Sequence, residues 1–94
     1  MKNRNRELAE DFVSGLLGRM SSYTQEDYEV CQDIIENIDK NKCFLPLMDY
    51  ISNKDFMKPY MVNNKEQLKE ADYRLRKLIH KIKEITESEE FLNN

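Results

Sequence analysis

A single histidine, His80, and two cysteines, Cys31 and Cys43, leave this 94-residue chain little from which to build a reactive centre. A zinc site would need a second close pair of Cys or His, and two cysteines make no disulfide framework. A carboxylate-bridged metal site in a helical bundle uses Glu-x-x-His pairs, but Lys77 stands three residues before His80. We therefore expect no metal and no cofactor. His80 falls opposite the apolar residues of its helix and reads as an ordinary exposed histidine. A Cys–His nucleophile pair finds no support either, because Cys31 falls on an apolar face, where thiols are usually inert. The expectation is a protein that is not an enzyme.

Long apolar runs are missing too. No stretch reaches the length of a membrane span, and the basic start is not followed by the apolar run of a signal peptide. Both absences, with the sparse cysteines, predict a soluble cytoplasmic protein with reduced thiols. Alternation with period two is nowhere sustained, so no sheet is expected. Glycine is rare: Gly15 and Gly18 lie together near the end of the first apolar pattern. There they read as helix fraying, or as bare backbone that a partner can approach. Their Gly-x-x-Gly spacing lacks the basic surroundings of a phosphate-cradling loop.

Helical periodicity is abundant. From Asn64 to Glu87 the apolar residues Leu68, Ala71, Leu75, Leu78, Ile82 and Ile85 are spaced 3, 4, 3, 4, 3. That rhythm draws one narrow seam along a helix, uninterrupted by Gly or Pro. Asn63 or Asn64 can cap its start. A first helix is predicted from Glu7 to about Met20, with Leu8, Ala9, Phe12, Val13, Leu16, Leu17 and Met20 on one broad face. A second is predicted from Gln25 to near Lys40, opened by the Thr24 cap with Asp27 at the third helical position. Tyr28, Cys31, Ile34, Ile35 and Ile38 would form its apolar face, and Glu26, Glu29, Asp33 and Glu36 the opposite stripe.

Residues 43–62 are different in kind: twelve of 20 are apolar or aromatic, and two more are Pro46 and Pro59. Pro46 suits the first turn of a short helix from Leu47 to about Ser52. A further turn is expected over Asp55–Lys58. The fold class is thus all-α: a single-domain helical bundle with three main helices and one or two short turns in the 43–62 connection. Residues 1–6 and 88–94 are expected to fray. A chain of this size buries only roughly 60–65% of its unfolded surface, leaving little room for a deep active site.

Function is then expected on the surface. The Met- and aromatic-rich middle offers Phe44, Met48, Tyr50, Phe56, Met57, Tyr60 and Met61 as partner-binding residues, because such side chains adapt to varied surfaces. The other use of that stretch is to close the end of the bundle, and a pocket roofed by Phe44, Tyr50, Phe56 and Tyr60 is a remoter one. Glu29, Asp33 and Glu36 could meet a basic partner. From Arg74 to Lys83 there are five bases and no acid. Arg74, Arg76, Lys77, Lys81 and Lys83 could contact a phosphate backbone, although a chain of 15 bases and 18 acids argues against it. The same run could instead dock on the acidic second helix. The seam Leu68, Leu75, Leu78, Ile82 and Ile85 could also pair two copies of the chain, but it is short for a free coiled coil. The expectation is a protein-binding adaptor, inhibitor or immunity-type factor, possible as a phage or mobile-element product. The alternative is a homodimeric nucleic-acid-binding regulator.

Overall fold

A computed structural model describes residues 4–53 and 68–88, with side chains of the last helix described from Glu70. Four helices follow one another: α1 (Arg4–Gly18), α2 (Gln25–Asn41), α3 (Phe44–Asn53) and α4 (Leu68–Glu87). There is no strand among the described residues. The all-α bundle is therefore the fold, with the expected short helix in the connection grown to ten residues.

Each boundary has a local cause. The Thr24 hydroxyl accepts from the Asp27 N–H, and the Asp27 carboxylate accepts from the Thr24 N–H, closing the capping box expected at the start of α2. Helix α2 ends where Lys42 turns into the left-handed region, φ 51° and ψ 44°, its N–H donating back to the Ile38 carbonyl. Helix α3 starts three residues before the predicted Leu47. Pro46 lies in its first turn, where N–H groups have no partner four residues back, and the first such bond runs from the Leu47 N–H to the Cys43 carbonyl at 2.8 Å. Helix α1 begins at Arg4 rather than Glu7, because the Asn5 amide reaches the Ile38 carbonyl at 2.6 Å and Arg6 reaches α2. Residues 4–6 thus belong to the bundle. The turn expected over Asp55–Lys58 and the cap at Asn63 or Asn64 lie outside the described residues.

Polar contacts fix the directions. Arg6 near the start of α1 bonds Glu36 and Asp39 near the end of α2, so these helices run antiparallel. Arg76 meets Asp27, Lys83 approaches Asp33 and Asn37 reaches Thr86, so α2 and α4 run parallel. Parallel neighbours cannot be joined by a tight turn, and the chain between Asn41 and Leu68, α3 included, makes the return. The molecule is elongated, 41 × 28 × 19 Å, which accommodates α4 at about 30 Å for its 20 residues.

The core joins α1 (Ala9, Val13, Leu16), α2 (Val30, Cys31, Ile34, Ile35, Ile38), α3 (Leu47, Ile51) and α4 (Leu75, Leu78, Ile79, Ile82, Ile85). Two positions correct the sequence reading. Tyr28, placed on the apolar face of α2, is exposed, and Val30 is buried in its stead. Helix α2 packs against both α1 and α4, so its buried face widens toward Val30 and leaves Tyr28 at the rim. On α4, Ile79 and Thr86 are buried beside the seam as well.

Candidate functional site

Helices α2 and α4, opposite in charge, are neighbours, and the structure shows what the basic run does there. Arg74 pairs with Glu70 at 2.7 Å, Lys81 with Glu84 at 3.7 Å, and Lys83 with Glu87 at 3.3 Å and Asp33 at 3.9 Å. Arg76 donates through Nε to both carboxylate oxygens of Asp27, at 2.8 and 3.0 Å. Only Lys77 of the five has no acid partner, and its ammonium stands 5.1 Å from the centre of the Tyr73 ring. Four of the five bases are thus answered within the chain, which removes most of the free positive charge a phosphate backbone would meet. His80 is half-buried and lines, with Tyr73, Arg76, Lys77, Lys81 and Glu84, a depression of about 440 Å³ along the outward face of α4.

Asp27 itself is 1% exposed. Burial pushes its carboxyl upward, but the Thr24 N–H and the Arg76 guanidinium outweigh that and hold it below the ordinary carboxylate range. Asp72 on α4 accepts from the Ser21 hydroxyl and, at 2.8 Å, from the Ser21 N–H. Those bonds hold it low against a smaller opposing effect of burial. Together these groups pin the α1–α2 turn and the start of α2 to α4. Neither Asp27 nor Asp72 was a candidate from sequence, because their partners lie 49 and 51 residues away.

The acidic candidates are exposed on α2, but they point to neighbours. Glu36 is 2.8 Å from Arg6, and Asp33 faces Lys83. Glu29 is exposed on the same stripe.

The thiols are quiet. Burial, with the Asp27 charge adding to it, pushes Cys31 up to about 11, and burial also raises Cys43. A thiol so shifted is a poor nucleophile at neutral pH. Among the described residues no group of three or more His, Cys, Asp or Glu is placed to hold a metal ion, and no helix is long and apolar enough to cross a membrane.

The apolar middle divides. Leu47 and Ile51 on α3 close the core. Phe44 is half-buried and meets Phe12 of α1 edge to face, ring centres 6.2 Å apart, and Met48 is half-buried beside it. Tyr50 is 37% exposed. Leu45, which sequence reasoning passed over, is 71% exposed, more than any other large apolar residue described. Its signal was available: with Leu47 and Ile51 inward, the helical period turns Leu45 outward. Phe56, Met57, Tyr60 and Met61 lie outside the described residues.

The seam offered for a homodimer is used inside one chain. Leu75, Leu78, Ile82 and Ile85 are all 9% exposed or less, packed with α1 and α2, so a second copy could reach them only by opening the bundle. The side chain of Leu68 lies outside the described set. No protein-family model, curated protein or solved structure matches this chain.

Proposed function

We propose that this chain is a small non-enzymatic interaction module that binds another protein through the exposed side of α3. The observation that carries the reading is Leu45, an aliphatic side chain left in water beside half-buried Phe44 and Met48. A chain with a modest core has few apolar groups to spare, and Tyr50 on the same helix is exposed as well. The pairing of Arg74, Arg76, Lys81 and Lys83 favours this over the nucleic-acid regulator. In this reading the module works in a reducing cytoplasm as an adaptor, inhibitor or immunity-type factor, of the kind encoded by phages and mobile elements. It acts through one copy, without recourse to the α4 seam.

Site-specific photo-cross-linking tests it. A cross-linking side chain at Leu45, introduced in cells of the source organism, should trap one discrete protein that rebinds the purified module. The same group at Tyr73, 56% exposed on the outward face of α4, should not trap it. Equal trapping from both positions, or none from Leu45, contradicts the reading.

A further inference from the structure

The outward face of α4 gathers positive charge into one trough. Arg76, Lys77 and Lys81 line the same depression, together with Tyr73, His80 and Glu84. The other acids of α4 turn elsewhere: Glu70 meets Arg74, Asp72 accepts from Ser21, and Glu87 faces Lys83. Among the described residues, Glu84 is therefore the one carboxylate that lines the trough.

The three cations are only partly engaged. Arg76 gives its Nε–H to Asp27, which offsets much of its charge, but its two terminal amino groups make no bond among the described residues. Lys77 has only the Tyr73 ring, at 5.1 Å, a weak contact at an exposed site. Lys81 stands 3.7 Å from Glu84, and both side chains are exposed, so solvent screens the pair. A phosphate dianion offers each of these donors a stronger, charge-assisted bond, and the paired amino groups of a guanidinium suit two of its oxygens. Beyond the trough the charge is answered, by Glu70 at Arg74 and by Glu87 and Asp33 at Lys83. The free donors are thus confined to one short stretch, which suits a small ligand and not a long phosphate backbone.

We infer that this trough binds a small phosphorylated ligand. Its phosphate is held by the Arg76 amino groups, Lys77 and Lys81, with the His80 imidazole beside them and Glu84 opposing. No residue of α3 lines the trough, so the inference is independent of the α3 reading.

Pyrophosphate is the probe, titrated into the full chain at constant ionic strength and followed by NMR. His80 is the single histidine, so its ring signals report on this trough alone. They should shift saturably with pyrophosphate and stay still with chloride at matched ionic strength. Lys77→Ala/Lys81→Ala, at two exposed positions, should weaken binding at least about tenfold with the circular dichroism spectrum unaltered. Glu84→Gln should strengthen it. Lys40→Ala removes an exposed cation outside the trough and should change the affinity less than about twofold. A shift that never saturates, an unchanged affinity in the double lysine variant, an equal loss from Lys40→Ala, or weaker binding by Glu84→Gln overturns the inference.

Discussion

Asp27 shows how one side chain can set two contacts at once. Its carboxylate caps α2 through Thr24 and holds α4 through Arg76, from a position 1% exposed. Its folded pKa lies below the ordinary value, so the stability it contributes is present above about pH 4 and is lost as pH falls through the depressed folded value. Asp72 has the same sign. Urea melts between pH 7 and pH 2.5 should show stability falling below about pH 4, and Asp27→Asn should flatten that fall. The same variant should cost about 2–3 kcal/mol at pH 7, toward the low side for a buried pair because Arg76 is 34% exposed. Gly15 offers a change of opposite sign. It lies inside α1, and a Cβ there would meet nothing within 4 Å. Gly15→Ala should raise stability by roughly 0.5–1 kcal/mol, read as a higher melting temperature.

At the scale of the helix, much was legible in the chain. Period and capping placed α2 from Thr24 onward, and the 3, 4 rhythm of Leu75, Leu78, Ile82 and Ile85 marked the face of α4 that is buried. What escaped was set by tertiary neighbours. Tyr28 follows the helical period of Cys31 yet falls beyond the edge of what α1 and α4 cover. Arg6 lies in a polar start that reads as frayed, until Glu36 and Asp39 arrive from 30 and 33 residues away. Among the candidate site residues, Phe44, Met48 and Tyr50 were visible by composition. Leu45 was legible only through the helical period, and the predicted helix began two residues after it, at Leu47. The left-handed Lys42 was invisible for a related reason, since only the turn into α3 demands it. Lys42→Gly should stabilise the fold by roughly 1 kcal/mol. A chemical-denaturation midpoint that moves down instead would show that the Lys42 side chain carries a stabilising contact.

For the whole molecule, the decisive fact is where apolar surface has been spent. The α4 seam, two faces of α2 and the inward side of α3 close on one another in one core among the described residues. Leu78, fully buried at the centre of α4, should cost about 2–5 kcal/mol when cut to Ala, a large share of the stability of a domain this small. Among the described residues the most exposed large apolar side chain is Leu45 on α3. The most direct test compares two folded variants, Leu45→Glu and Tyr73→Glu, for affinity toward the protein trapped from Leu45. With melting temperatures matching the parent, Leu45→Glu should lose at least about tenfold in affinity and Tyr73→Glu should lose none. If Leu45→Glu binds like the parent, or Tyr73→Glu loses as much, the partner docks elsewhere and α3 is simply the lid of the core.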